Sequence, residues 1–196
     1  VSGDVVIKDG RSGRSAGVNE KNQIESFATS RAELTDSLLN GDAFIITTPA
    51  INLTTDNLSA ILYLENTNSA TWIMNRFFVN IGPSNVSGEH QFQLLANADG
   101  GTLVSAGTDF PAANLNFGSA KTLDAIIKHG AEGSTATDAQ TIIDSIVPAT
   151  GARTALIGDN FIIPPGTNAV VTVTPPTGNT SMNAQVGFLL HRLIES

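Results

Sequence analysis

Residues 160–195 read NFIIPPGTNAVVTVTPPTGNTSMNAQVGFLLHRLIE. An apolar run, Phe161–Ile163, meets Pro164-Pro165-Gly166-Thr167, a turn signal. An alternating strand follows, with Ala169, Val171 and Val173 on one face and Val170, Thr172 and Thr174 on the other. Pro175-Pro176-Thr177-Gly178-Asn179 breaks it. A last strand is expected from about Ala184 to Ile194, with Val186, Phe188 and Leu190 on one side and Leu189 and Leu193 on the other. Strand, tight turn, strand, wide polar loop, strand is the way an antiparallel sandwich closes.

The same rhythm runs back through the chain. Strands are expected at Ala43–Thr47, Ala60–Glu65, Thr71–Ile81, His90–Ala96 and Leu123–His129, with short strands or turns at Thr141–Val147 and Ala155–Ile157. Thr71–Ile81 carries apolar residues on both faces, which marks a central strand covered on each side. Strict alternation puts Ile73, Phe77, Val79 and Ile81 on one face and Trp72, Met74 and Phe78 on the other. Asn97-Ala98-Asp99-Gly100-Gly101 reads as a hairpin turn into a strand at Thr102–Ser105. Phe110 and Phe117 are expected to plug the core, and Trp72 and Tyr63 to pack within it. A capping-box pattern at Ser30–Glu33 allows one short helix ending near Asn40-Gly41. Short apolar runs every 10–15 residues give an all-β, jelly-roll-like antiparallel sandwich of roughly eight strands, with at most one short helix. The expected organisation is an extended N-terminal arm over 1–30 and one sandwich domain over 31–196. No βαβ rhythm and no fixed repeat appear.

The bulk composition narrows function. The 196 residues suit one domain of ordinary size. Charged residues make up only 14% of the chain, low for a soluble monomer, which fits either an all-β protein with many turns or a surface mostly covered by neighbours. Net charge is −8, and four Lys and six Arg are thinly spread. That argues against nucleic acid and anionic membrane surfaces, both of which need clustered cations. With no cysteine, a disulfide scaffold, a thiolate nucleophile and a Cys-ligated metal are excluded. The chain shows no signal-peptide pattern and no run of ~20 apolar residues, so synthesis in a reducing host cytoplasm is expected.

No chemical motif stands out. His90, His129 and His191 are the only histidines, and they fall on separate strands with no metal-ligand spacing. The carboxylates mostly sit in turn contexts such as Asp99-Gly100. There is no nucleophile elbow and no phosphate loop. No catalytic, cofactor or metal residue is assigned, and no enzyme activity is expected. Lys8, Arg11 and Arg14 form the one basic spot, read either as a solvated loop or as an arm that docks on an acidic neighbour. His191 and Arg192, near the end of the last strand, are candidate contacts to a neighbour.

The opening segment reads I-K-D-G-x-x-G-x-x-A-x-V-N-x-x-N-x-I, carried by Ile7, Lys8, Asp9, Gly10, Gly13, Ala16, Val18, Asn19, Asn22 and Ile24. Over about 25 residues it resembles the start of structural proteins encoded by tailed-bacteriophage and marine viral genomes. The closing strands are similar in layout to the end of many viral jelly rolls. The resemblance implies a virion protein with no catalytic residues. The expectation is a homo-oligomer, such as a trimer, that decorates a phage head, meets other capsid proteins and ties the shell together with its arm. A jelly-roll capsid protein proper, a receptor- or glycan-binding tail module and a sandwich hydrolase are the competing readings.

Overall fold

In a computed structural model of the chain, residues 17–18, 24–25, 33–149, 153–158 and 160–193 are described. The chain divides into two units, Val1–Ala32 and Glu33–Ser196. In the first, β1 (Gly17–Val18) pairs antiparallel with β2 (Ile24–Glu25). Lys8, Arg11, Arg14 and the capping-box Ser30 lie outside the described residues.

The second unit opens with α1 (Glu33–Asn40). Gly41 stops it: at φ 73 its N–H donates to the Leu38 carbonyl, and the Asp42 N–H donates to Ser37. A left-handed glycine closing two orphan carbonyls is the usual end of a helix. The strands follow as β3 (Ala43–Thr47), β4 (Ile51–Leu53), β5 (Ser59–Asn66), β6 (Trp72–Ile81) and β7 (Glu89–Ala96). Next come α2 (Thr102–Ala106), β8 (Thr108–Asp109), β9 (Ala113–Asn114), β10 (Ala125–His129) and β11 (Gln140–Pro148). The chain closes with β12 (Arg153–Ile157), β13 (Phe161–Ile163), β14 (Asn168–Thr174) and β15 (Met182–Arg192).

Two sheets result. One is ordered β11-β7-β14-β5-β10-β8; the other is β12-β6-β15-β3-β9, with β13 also on β6 and β4 also on β15. All the pairings are antiparallel. Among the principal strands, the first pairs with the last (β3 with β15), β5 with β14, β6 with β12, and β7 with β11. That nested order is a long antiparallel hairpin rolled into two layers, the jelly roll expected from the sequence.

The inner faces bury Phe77 between Phe92 of one sheet and Phe188 of its own, at ring centroid distances of 6.0 and 5.8 Å. Phe44 and Trp72 meet edge to face at 5.6 Å. Such contacts add to the area the rings bury.

Several local readings are corrected. Thr102–Ala106 is a helix, so the domain has two short helices. The Asn97–Gly101 segment is no hairpin, because β7 pairs with β14 and β11 instead. Thr-Leu-Val-Ser is locally strand-like, but Leu103 is fully buried as a plug in a second cluster on the outer face of the six-stranded sheet. Strict alternation also fails on β6. Its register slips between Leu189 and Leu190 of β15, where Asn75 is the extra residue. The bulge turns Trp72 and Met74 to the same inner core as Phe77, Val79 and Ile81. Strands β14 and β15 lie in different sheets, so 175–181 is an arch between layers. Phe110 packs against the core, but Phe117 is 96% exposed.

Candidate assembly surface

The nested strand order leaves β11 and β12 as the terminal strands of their sheets. An edge strand presents unpaired N–H and C=O groups, and natural sheets blunt such edges with charge or proline. On β11 exposed Asp144 and Pro148 share the edge with apolar side chains. Ile142 and Ile146 on β11, Leu156 on β12 and Ile162 on β13 are exposed at 49, 58, 61 and 65%. Between the layers a cleft of about 310 Å³ opens, lined by Met74, Leu94, Ile142, Phe161, Ile163 and Ala169. A bulge between Thr141 and Ile143 puts Ile142 out of register with β7.

The two outer faces differ. The six-stranded sheet carries its own cover: Ala60, Tyr63, Leu95 and Val170 pack under Leu103 of α2 and Ala98. Tyr63 lies in this second cluster and donates its hydroxyl to Glu65 at 2.7 Å. Burial, that hydrogen bond and the Glu65 charge push the phenol pKa well above its ordinary value. The covering loop is tied down by Glu132, whose carboxylate accepts from both the amides and the hydroxyls of Thr54 and Thr55. Partial burial works against the charge, but the four bonds outweigh it and hold the carboxyl below its usual range.

On the seven-stranded sheet, Leu156, Phe78, Gly187 and Thr47 form one outward row across β12, β6, β15 and β3. Phe78 lies against Gly187 so closely that a β-carbon there would sit 2.1 Å from the ring and 2.5 Å from the Ile46 carbonyl oxygen. The neighbouring row is a polar ladder. Thr154 donates to Asn80 at 2.8 Å, Asn80 to Gln185 at 3.3 Å, and Gln185 to the Thr48 carbonyl at 3.1 Å.

The three histidines fall in three places. His90 on β7 is fully buried, and neither ring nitrogen has a protein partner; desolvation lowers its pKa. His129 is half-buried beside Phe110. His191 is not a surface contact: it is 2% exposed and bonded through Nδ1 to Asn75, the residue the bulge adds. Alternation along β15 places it outward, but only the bulge, which the sequence does not announce, supplies its partner. Arg192 is exposed at the rim of a polar pocket of about 350 Å³ shared with Asn40, Asp42, Ser69 and Thr71. Asp42 there is held by Lys121 at 2.9 Å. Among the described residues no group of three or more His, Asp or Glu is placed to hold a metal, and no helix is long and apolar enough to cross a membrane. The edge residues Ile142, Ile146, Leu156 and Ile162 escape sequence reasoning, since a strand's place at the sheet edge is a topological fact.

No family model matches this sequence, and no curated protein matches it. Among solved structures, a selenomethionine-labelled α-amino acid ester hydrolase aligns with 79% of this chain and 26% of its own at 10% identity, with a TM-score of 0.17. The chain thus spans about a quarter of that protein's length. A likeness that low carries nothing about fold or activity to this chain.

Proposed function

We propose that the chain is a structural subunit of a virus particle that works by self-association, as a head decoration or auxiliary capsid protein of a phage. The observation that carries this reading is the set of apolar side chains at the sheet edges: Ile142, Ile146, Leu156 and Ile162 stand 49–65% exposed there, with Asp144 as the charge between the first two. An isolated soluble domain keeps charge at such edges, whereas a subunit buries them against a neighbour. Supporting it, the groups with shifted pKa values among the described residues, Tyr63, His90 and Glu132, are each accounted for by packing or loop anchoring. None of them lines the apolar cleft, as the acid–base pair of an enzyme would. The arm with Lys8, Arg11 and Arg14 then reaches a neighbouring subunit.

Sedimentation of the full chain tests the reading. A discrete oligomer is expected, and Ile146→Lys should shift it to smaller species without changing the melting temperature. A wild-type monomer at every concentration would overturn it. Phe117 favours one other reading, a receptor- or glycan-binding module, because it stands almost fully exposed on a loop. Glycan binding that Phe117→Ala abolishes would establish that role.

A further inference from the structure

The outer face of the seven-stranded sheet has the makings of a second interface, separate from the β11 edge with Ile142 and Ile146 and bordered by Leu156 of β12. The equivalent face of the other sheet is roofed by α2 and the loop that follows β10. On the seven-stranded sheet, α1 packs on β15 and β3 at one end. Outward from there, Phe78, Leu189 and Ile45 are only half-buried, and Leu156 is 61% exposed. These residues line up across the strands, with Leu156 opposite Phe78 and Leu189 opposite Ile45.

Three properties fit this face for burial. Its polar row is already satisfied within the sheet: Thr154, Asn80 and Gln185 bond in sequence and end on the Thr48 carbonyl. Covering that row strands few polar atoms, the usual penalty for burying amides. Phe78 fills the space over the missing side chain of Gly187, and beside it a recess of about 290 Å³ over Asn80, Thr154 and Gln185 offers a hollow for a side chain of the facing copy. Among the described outward side chains of β3, β6, β12, β13 and residues 182–190 of β15, Arg76 is the one charged group, with no Asp or Glu among them; Arg192 lies beyond, at the end of β15 beside the polar pocket. Interface centres are depleted of charge in the same way.

Size and charge choose the occupant. Strands β6 and β15 run 10 and 11 residues and β12 and β3 five each, which at ~4.8 Å spacing and ~3.3 Å per residue gives a flat area of roughly 500 Å². One side of a standard interface is about 800 Å². A strongly basic partner finds no carboxylates here, and an acidic one finds a single Arg. A second copy of the same face brings its own satisfied ladder and apolar rows. We propose that this face packs against its own copy about a two-fold axis, so that two sandwiches stand back to back while their β11 edges, with Ile142 and Ile146, remain free for other contacts. This rests on the self-association reading and assigns it a surface.

The chain has no cysteine, so a Thr47→Cys variant carries one nitroxide per copy. The expected result is a narrow inter-copy distance distribution by pulsed dipolar spectroscopy, lost when Leu189→Lys is added. Leu189 is half-buried, so Thr47→Lys, at an exposed position, repeats the test by sedimentation and should halve the mass of the smallest oligomer. The edge variant Ile146→Lys should leave the spin-pair distance intact. A distance lost with Ile146→Lys and kept with Leu189→Lys overturns the face but leaves self-association standing. A monomeric wild type overturns both. An immobilised label in a monomer, with residues 1–32 crosslinked to the face of their own copy, also overturns it.

Discussion

His90 is the residue whose chemistry the fold constrains most. Its ring is wholly buried without a protein partner, and burial lowers its pKa from the ordinary 6.5. As pH falls through the ordinary imidazole range the unfolded chain takes up a proton first. The unfolded state then binds more protons, and stability declines toward acid. His90→Leu should flatten the melting temperature between pH 7 and pH 5, while the wild type falls. Glu132 works with the opposite charge. Its folded pKa is depressed, so its contribution is present above the unfolded carboxylate pKa and is lost as pH drops through the folded one. Glu132→Gln should lower stability at pH 7, and the gap to wild type should close below the carboxylate range in calorimetric scans.

At the scale of elements, the pairing of β6 with β15 is where side-chain shape is most constrained. Gly187→Ala should cost about 1–3 kcal/mol in chemical denaturation, the usual range for overpacking. Phe78→Ala should not restore that loss, because the Ile46 carbonyl oxygen is also within 2.5 Å of the new methyl. Much of the element pattern was readable from sequence: Ala43–Thr47 is bounded as expected, and β5, β6, β7 and β11 differ by a residue or so. Those strands alternate between a packed inner layer and turns rich in Gly, Pro and Asn, so local chemistry and burial agree. Where they diverge, the sequence misleads. Thr102–Ala106 has strand-forming residues, yet its place over Tyr63 and Val170 requires a helical plug. The β6 bulge moves Trp72 and Met74 to the inner core through one inserted residue, Asn75, that leaves no compositional trace. His191 sits on its outward side as alternation implies, but its burial and its bond to Asn75 follow from the same bulge.

For the whole molecule, the candidate surfaces were the least readable part. Ile142, Ile146 and Leu156 look like ordinary core residues in a linear string; alternation puts Ile143 and Val147 on the core side and leaves Ile142 and Ile146 outward, and the strand order leaves their strand uncovered at the edge. The 14% charged content fits covered surface without saying which, and the edges and the seven-stranded face are the places we propose for it. Joint substitution of Ile142 and Ile146 by Lys should therefore raise solubility at high protein concentration and remove concentration-dependent light scattering.

The nesting of first strand on last also governs how the chain can come into being. Ala43 finds its partner in His191, and β6 is flanked by two strands that follow it far along the chain. Few native pairings are available to a growing N-terminal half, so loop-closure entropy is met before cohesion rewards it. A chain of such high contact order should refold in milliseconds to seconds or slower. Synthesis would then release most of the polypeptide before its layers can lock, with bare strand edges exposed throughout. Truncation within β15 should leave the rest unable to fold cooperatively, since that one strand carries hydrogen bonds to β3, β4 and β6.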